Sequence, residues 1–275
     1  MCELLAISTS EPAQLTFSLK TLAARGSAKG HVHDGWGVAF YQGADVALFR
    51  EPLAAGDSPL VRYLETDGPS TRLGISHIRH ATLGSVQFAN TQPFLRELGG
   101  HSHVFAHNGT LLHVEASRAM ALGSYRPVGQ TDSEYAFCVL MARMHSLWAD
   151  ASPPPLQARM DLLASFAADM RALGPANFLY ADGDTLFAHG HRRIHDDGEQ
   201  AEPPGLWMLQ RVEMSAEPPP AHQDGVAVEA DAEKHDALLI ASVALTDEAW
   251  RPLAEGELVA VRHGKLVAVH GQKMR

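Results

Sequence analysis

The sequence predicts an α+β fold made of two antiparallel sheets with helices outside them. Three observations lead to this prediction. Short apolar segments bounded by turn residues fill the chain as far as residue 109, two helical patterns occupy the middle, and strand patterns return from residue 177 onward. The two proline-rich segments, residues 198–204 and 215–223, are too short to divide the chain, and we expect both to be surface loops. One domain over residues 1–275 is therefore predicted.

The first half of the chain alternates short apolar segments with turns. The spacing of apolar residues predicts a helix over residues 15–24. A short apolar run that is bounded by turn residues predicts a buried strand instead. Segments of this kind are residues 2–7, 35–41, 46–49, 72–77 and 103–106, of which the second and third predict a hairpin.

The second half begins with two predicted helices. Residues 133–148 are amphipathic, with Asp132 or Ser133 near the start, and residues 156–173 lie between prolines and a Gly-Pro pair. The remainder is rich in strand patterns, and Asp182-Gly183 predicts a tight turn between two of them. The predicted strands are residues 178–181, 185–188, 206–212 and 237–244, followed by a hairpin around residues 263–265.

The composition excludes several classes of function. Lys and Arg number 22 against 32 Asp and Glu, and the resulting net charge of −10 opposes binding to nucleic acid and anionic lipid. No apolar run is long enough to cross a bilayer, and the first residues lack the features of a signal peptide. Two cysteines, Cys2 and Cys138, are too few for a disulfide framework or a thiolate metal site. We expect a cytoplasmic protein.

Cys2 directly follows the initiator Met1, and this is the first observation that points to chemistry. Removal of Met1 would leave a thiol and a free α-amine on one residue. Because such an amine has an ordinary pKa of about 7.7–8.0, it can take the thiol proton near neutral pH. The alternative interpretation is an ordinary buried cysteine in the first strand.

Three further segments carry candidate functional groups at the ends of predicted elements. In His107-Asn108-Gly109, an Asn side chain and the next backbone N–H can stabilise the oxyanion that forms when an amide is attacked. Arg79 and Asp132 can bind the carboxylate and the ammonium of an α-amino acid. Each has an ordinary alternative, namely a plain turn, a surface ion pair and a helix cap. Their combination with Cys2 favours the functional interpretation.

Several short motifs follow one another in a fixed order. They are Met1-Cys2, Asp-Gly-Trp-Gly-Val at 34–38, His-Ile-Arg-His-Ala-Thr at 77–82, Asn-Thr-Gln-Pro-Phe at 90–94, Phe-Ala-His-Asn-Gly at 105–109 and Thr-Asp-Ser-Glu at 131–134. In these motifs the chain resembles the class II glutamine amidotransferases, and among them the stand-alone bacterial type without a synthase domain. The resemblance thins after residue 134 to pieces such as 177–182 and 241–250. A set of ordered motifs is far more specific than one short pattern.

The resemblance implies a fold and a role for each matching residue. The fold would be the four-layer α/β/β/α sandwich of the N-terminal-nucleophile hydrolases. Cys2 would be the nucleophile with its own α-amine as base, and Asn108 with Gly109 would form the oxyanion hole. No cofactor is implied. The implied substrate-binding residues are Arg79, His80, Thr82 and Asp132.

Two residues depart from the synthase-linked relatives. Those relatives often have Trp where this chain has His80, and His where it has Gln92. Both residues would belong to loops that close over the substrate, and the stand-alone type resembles the chain better at these points. A retained Met1 would block the α-amine and leave the protein inactive.

The predicted reaction is hydrolysis of the γ-amide of glutamine to glutamate and ammonia through a γ-glutamyl thioester, with ammonia passed to a separate acceptor enzyme. One alternative is cleavage of a γ-glutamyl amide on a larger metabolite, as in ergothioneine-pathway relatives. Another is a non-catalytic module that senses glutamine.

The chain has 16 histidines, but it lacks an HExxH helix and a cysteine cluster, so no metal site is expected. Oligomeric state is left open.

Overall fold

The computed structural model describes residues 2–17, 34–81, 84–148, 152–195, 198–215, 226–230 and 234–272. The strands in these ranges are β1 (Glu3–Phe17), β2 (Gly35–Gln42), β3 (Asp45–Glu51), β4 (Thr71–Arg79), β5 (Phe94–Leu98), β6 (His101–Asn108), β7 (Asn177–Ala181), β8 (Leu186–His189), β9 (Arg193–Ile194), β10 (Ala201–Glu202), β11 (Trp207–Ser215), β12 (Val226–Ala230), β13 (Lys234–Ala241), β14 (Arg251–Pro252), β15 (Leu258–Arg262) and β16 (Lys265–Val269). The α-helices are α1 (Pro59–Asp67), α2 (Asp132–Met144) and α3 (Leu156–Arg171).

The strands form two large antiparallel sheets. The first has the order β14-β11-β13-β1-β4-β2-β3, with β12 added to β1, and the second has the order β16-β15-β8-β7-β6-β5. Strands β9 and β10 form a separate ribbon. Because β1 and β13 come from opposite ends of the sequence and pair in the middle of the first sheet, the start of the chain is locked into its interior.

Alternate residues of β1 face opposite layers of the molecule. Leu4 and Ala6 join the apolar core between the two sheets, whereas Leu5 and Ile7 join a second core on the outer face of the first sheet. A strand that is buried on both faces needs apolar residues at every position, which explains the continuous apolar run at the start of the sequence.

Helices cover the outer faces of both sheets. Helix α1 places Val61 and Leu64 in the outer core of the first sheet. Helices α2 and α3 pack on the outer face of the second sheet, where Phe137 stacks on Phe105 of β6 and Phe166 contacts the same ring edge-on. The layers are therefore helix, sheet, sheet and helix, and the predicted α+β sandwich is confirmed. No helix within the described ranges has the length and apolar character needed to span a membrane.

The helix predicted over residues 15–24 is wrong for residues 15–17, which continue β1. Residues 18–24 lie outside the described residues. Leu15 pairs with Val228 and Phe17 with Val226 of β12. Pairing with a strand more than two hundred residues away overrides the local helical spacing, as is common for strands.

Helix α1 and strand β5 have no counterpart among the predicted elements. Helix α1 is only nine residues long and shows a short apolar stripe, although it carries ordinary start signals. Ser58 accepts a hydrogen bond of 3.1 Å from the Val61 N–H, and Pro59 occupies the first helical position.

The other predicted elements are confirmed with shifted ends. Thr131 caps helix α2, because its hydroxyl accepts a hydrogen bond of 3.2 Å from the Glu134 N–H, so neither Asp132 nor Ser133 is the cap. The last hairpin turns through His263 and Gly264, which have φ values of 47° and 73°. The proline-rich segment 198–204 contains β10, whereas residues 216–223 of the second segment lie outside the described residues.

Candidate active site

The start of β1 and the ends of β4 and β6 meet at one edge of the sandwich. Glu3 lies opposite Ile78 in the β1–β4 pairing, which places Cys2 beside the last residue of β4, Arg79. Strand β6 ends at Asn108, opposite the first residue of β7. Antiparallel pairing therefore gathers residues from positions 2, 79 and 108 of the sequence into one place.

The Cys2 thiol rests on the backbone of His80. Its Sγ donates to the His80 carbonyl at 3.3 Å, and the His80 N–H donates back to the sulfur at 3.3 Å. Part of Cys2 reaches the surface, yet burial raises the pKa of its thiol to about 11, against the lowering effects of the His80 N–H and the Arg79 charge. The thiol is therefore protonated at neutral pH, and a nucleophilic reaction needs a base beside it.

Asn108 ties the end of β6 to the nucleophile candidate. Its Nδ2 donates a hydrogen bond of 2.6 Å to the Cys2 carbonyl and lies 3.5 Å from the Ser242 hydroxyl. The carbonyl of Asn108 in turn accepts a bond of 3.0 Å from Asn177 Nδ2. The side chain of Asn108 is almost fully buried, so its position is fixed from both ends.

Gly109 allows the backbone after β6 to approach another segment closely. A Cβ atom at this position would lie 1.8 Å from the Pro175 carbonyl oxygen and 2.7 Å from His107 Nε2. No residue with a side chain fits without movement of the backbone. The Asn-Gly pair therefore lies in a tightly packed junction between β6 and β7. An exposed surface turn would leave room for a side chain at this position.

Arg79 and Asp132 both lie at the same edge. Arg79 is buried at the end of β4, and its Nη2 donates to the Gly84 carbonyl at 3.0 Å. Asp132 opens helix α2, where Oδ2 accepts from the Leu111 N–H at 2.7 Å and Oδ1 accepts from the Ser133 N–H at 2.9 Å. Since a carboxylate offers about four acceptor positions, Asp132 can hold this loop and still accept from an ammonium.

One small cavity connects these residues. Its lining includes Cys2, Arg79, His80, Gly109 and Asp132, and its volume is about 20 Å³. That volume holds a single water molecule and no amino acid. The predicted pocket residue Thr82 lies outside the described residues, as does Met1.

Gln92 lines the cavity at Cys2 and also bonds the backbone at the end of β6. It is buried, its Nε2 donates to the His107 carbonyl at 3.1 Å, and its Oε1 accepts from the His107 N–H at 2.6 Å. The Gln92 side chain thus makes the two backbone hydrogen bonds that a neighbouring strand would otherwise make at the end of β6. The His107 ring contacts the Ser133 hydroxyl at 2.9 Å and the Pro175 carbonyl at 3.2 Å, and burial lowers its pKa. Gln92 lies in the segment between residue 90 and β5, and its place in a loop that closes over substrate stays a prediction.

Three supporting residues carry no recognisable sequence signal. Glu3 forms a buried ion pair with Arg193, and Arg193 also donates to the Ser242 carbonyl at 2.6 Å. The Ser242 hydroxyl accepts a bond of 2.9 Å from the Leu4 N–H. Because Glu3 and Arg193 are 190 positions apart in the sequence, no local pattern could have paired them.

Two buried histidines, His103 and His189, have structural partners. His189 Nδ1 lies 2.7 Å from the Ala176 carbonyl and its Nε2 lies 2.8 Å from Arg171 Nη1, and burial lowers the pKa of His189 to about 3. His103 contacts the Tyr180 hydroxyl at 2.6 Å and the Leu98 carbonyl at 3.2 Å. Among the described residues, no group of three or more His, Cys, Asp or Glu side chains could hold a metal ion.

A larger cavity of about 660 Å³ lies at the opposite end of the sandwich, near Arg72, Asp184 and Arg262. Its charged side chains bond other residues of the chain: Arg72 pairs with Glu11 at 3.0 Å, and Arg262 pairs with Asp184. None of the predicted catalytic or substrate-binding residues that the structure describes lines it. Among the described residues, Cys2, Arg79, His80, Gly109 and Asp132 line the small cavity instead.

Comparison with known proteins gives matches along the whole chain. The family model described as class II glutamine amidotransferases matches residues 1–275. YafJ of Escherichia coli strain K12, whose name assigns it to the glutamine amidotransferases, is 34% identical over 260 residues, covering 94% of this chain and 96% of YafJ. An uncharacterised protein of Methanocaldococcus jannaschii is 31% identical over 273 residues, covering 97% of this chain and 71% of that protein.

Solved structures match the fold as well. The crystal structure of a predicted glutamine amidotransferase from Pseudomonas aeruginosa PA01 has a TM-score of 0.69 and 30% identity, covering 97% of this chain and 100% of that chain. Glutamine phosphoribosylpyrophosphate amidotransferase from B. subtilis has a TM-score of 0.55 and 17% identity, covering 97% of this chain and 48% of that chain. At the lower identity the likeness concerns the fold alone.

Proposed function

The chain belongs to the class II glutamine amidotransferases, and we propose that it hydrolyses the γ-amide of glutamine through a thioester on Cys2. One observation carries this proposal. The Cys2 sulfur is hydrogen-bonded to the His80 backbone, and Asn108 Nδ2 donates a hydrogen bond of 2.6 Å to the Cys2 carbonyl. A nucleophile and an amide donor are thereby fixed against each other. The cytoplasm remains our expectation for where the reaction takes place.

The α-amine of Cys2 supplies the base in this proposal. The thiol has a pKa of about 11 in its buried setting, so only a small fraction is thiolate at neutral pH. Removal of Met1 would free an amine on the residue that carries the thiol. The amine takes the thiol proton as the sulfur attacks, either directly or through one water molecule.

Attack on the γ-carbonyl carbon forms a carbon–sulfur bond and places negative charge on the carbonyl oxygen. Asn108 Nδ2 and the Gly109 N–H donate to that oxyanion. The intermediate collapses when the ammonium formed on Cys2 gives its proton to the departing nitrogen, which leaves as ammonia. Water then attacks the thioester and gives a proton to the Cys2 amine. The carbon–sulfur bond breaks, glutamate is released, and the amine returns the proton to the sulfur.

Arg79 and Asp132 would hold the glutamyl end of the substrate. Arg79 would bind the α-carboxylate with its planar guanidinium, and Asp132 would bind the α-ammonium. His80 and Thr82 would complete the pocket. The ammonia would pass to a separate acceptor enzyme.

The direct test measures glutamate and ammonia released from glutamine by protein whose N-terminal Cys2 has been verified by mass spectrometry. We expect turnover by this protein and none by the Cys2→Ala variant. Trapping with hydroxylamine should yield γ-glutamyl hydroxamate only when Cys2 is present. Equal turnover by Cys2→Ala would exclude the covalent route, and a chain that keeps Met1 in its native host would favour the glutamine-sensing alternative.

A further inference from the structure

A buried ion pair lies directly next to the nucleophile. Glu3 is fully buried and Arg193 nearly so, and their contacts are 2.8 Å from Oε1 to Nη2 and 3.2 Å from Oε2 to Nη1. The geometry is the two-pronged one that guanidinium and carboxylate groups favour. Only one peptide bond separates this pair from Cys2.

Stability alone does not account for an ion pair at this position. Taking two charges out of water costs about as much as their attraction returns, so a buried pair adds little net stability compared with apolar residues of similar size. Burial raises the pKa of Glu3, and Arg193 is the strongest influence that opposes this rise. The carboxylate therefore depends on Arg193 for its charge.

The pair is part of a bonded frame around the start of β1. Arg193 Nη1 donates to the Ser242 carbonyl at 2.6 Å, and Ser242 exchanges bonds of 2.9 and 3.0 Å with the backbone of Leu4. Asn108 Nδ2 reaches both the Cys2 carbonyl and the Ser242 hydroxyl. The frame therefore fixes the residues on both sides of the peptide bond that carries the Cys2 carbonyl.

We propose that Glu3 and Arg193 are positioning residues. They fix the Cys2 α-amine and thiol in place, and their opposite charges cancel, so that the amine has no net charge beside it. This inference rests on the proposed function. A neutral pair can hold the chain start without favouring either protonation state of the amine. An unbalanced Arg or Glu at the same place would bias the amine and so change its use as a base.

The other ionisable groups at this edge are the same in every variant that changes Glu3 or Arg193. They are His77, Arg79 and His80 from β4 and its end, Asp34 before β2, His107 on β6 and Asp132 on α2. Burial lowers the pKa of His77 to about 3 and also lowers that of His107, so both rings are neutral at working pH. Changes at Glu3 or Arg193 leave the charges on Arg79, Asp34 and Asp132 in place.

Glu3 and Arg193 differ in the charge that each retains when the other is replaced. In Glu3→Gln, Arg193 keeps its positive charge because a guanidinium does not lose its proton in proteins. This charge disfavours the ammonium form of Cys2 and lowers the pKa of the amine. In Arg193→Gln, the buried Glu3 takes up a proton, and the neighbourhood becomes neutral again.

The experiment compares Glu3→Gln, Arg193→Gln and the double variant on enzyme with a verified Cys2 terminus. In each, kcat, KM and the acid limb of kcat/KM against pH are measured, together with the pH dependence of Cys2 alkylation by iodoacetamide. The matched control is Glu11→Gln, which removes a carboxylate from the exposed Arg72 pair on the same strand. Arg193→Lys tests rescue, since it restores a charge without the planar fork.

We expect the Glu3→Gln acid limb to move about one pH unit lower, and we expect Arg193→Gln in the double variant to cancel that movement. Loss of positioning should lower kcat about 10- to 100-fold in all three variants, with KM little changed. Arg193→Lys should recover part of kcat, and Glu11→Gln should match the parent chain.

Three results would overturn the inference. They are an unchanged kcat in the double variant, a shift of the acid limb that persists in the double variant, and the same changes in Glu11→Gln. The double variant contains no unpaired buried charge, so it keeps the test valid if Glu3→Gln does not fold. Alkylation needs no substrate and therefore tests the pair even if glutamine is not hydrolysed, whereas failure of the proposed function would appear as no turnover by the parent enzyme.

Discussion

Asn108 Nδ2 donates a 2.6 Å hydrogen bond to the carbonyl of Cys2, although the two residues are 106 positions apart. The bond joins the second large sheet to the first at the edge where the chain begins. It places an amide donor beside the candidate nucleophile and ties the position of each residue to the other. Changes at either residue should therefore affect both structure and chemistry, and the two effects need separate measurements.

Replacement of Asn108 should reduce the chemical step. Asn108→Ala removes the side-chain donor for the oxyanion, and we expect kcat to fall about 100- to 1000-fold with a smaller change in KM. Asn108→Asp keeps the shape but offers an acceptor, so it should be no better. Steady-state kinetics and thermal melting together separate this loss from unfolding, and a folded Asn108→Ala enzyme with parental kcat would contradict the oxyanion role.

Gly109 should not tolerate a methyl group. Gly109→Ala places Cβ 1.8 Å from the Pro175 oxygen, so the backbone must shift, and we expect a loss of roughly 1–3 kcal/mol in the free energy of unfolding. Gly56→Ala is the matched control, since a Cβ there meets nothing within 4 Å. Urea unfolding of both variants measures the difference, and equal stabilities would show that the junction at Gly109 is not tight.

Buried neutral histidines should make the fold sensitive to acid. His77 has a pKa of about 3 because it is buried, and its ring nitrogens have no hydrogen-bond partner among the described residues. The unfolded chain binds the proton near pH 6.5 and the folded chain only near 3. Stability from His77 is therefore complete above pH 6.5 and falls by about 1.4 kcal/mol per pH unit between 6.5 and 3.

The variant His77→Phe should remove this part of the acid sensitivity without breaking a hydrogen bond. Urea unfolding at pH 7 and pH 5 should show a smaller difference in His77→Phe than in the parent chain. His189→Phe is the comparison, because His189 is also buried and neutral but bonds Ala176 and Arg171, so its loss should lower stability at pH 7 as well. A parental pH dependence in His77→Phe would contradict the buried neutral state.

Arg79 should determine recognition of the α-carboxylate. Arg79→Lys keeps the charge but loses the planar fork, and we expect KM for glutamine to rise about tenfold or more with kcat less affected. Arg72→Lys, at the other end of β4 and paired with Glu11 on the surface, is the control and should leave KM unchanged. An unchanged KM in Arg79→Lys would place the carboxylate elsewhere.

The identity of the leaving group can be decided by comparing substrates. The proposed clamp of Arg79 and Asp132 would bind the glutamyl end alone, so it would serve glutamine and larger γ-glutamyl amides equally. The described residues leave a cavity of only about 20 Å³ at Cys2, which favours the smaller leaving group. We expect kcat/KM for glutamine to exceed that for γ-glutamyl peptides, and the reverse order would favour the larger-metabolite alternative.

The sequence alone predicted the features that depend on residues close together in the chain. Apolar runs between turn residues located β2, β4, β6 and β7, and helical spacing located α2 and α3, because local period and turn chemistry act over a few positions. The ordered motifs around Cys2, Arg79, Asn108 and Asp132 also belong to this class. Each lies next to the end of a strand or the start of a helix.

The tertiary structure alone decided the contacts between distant segments. It extended β1 through residues 15–17 by pairing them with β12, turned Gln92 onto the backbone of His107, and joined Glu3 to Arg193 across 190 positions. These partners come together only when the sheets close and burial makes unpaired polar groups costly. A local pattern contains no information about which distant residue will satisfy such a group.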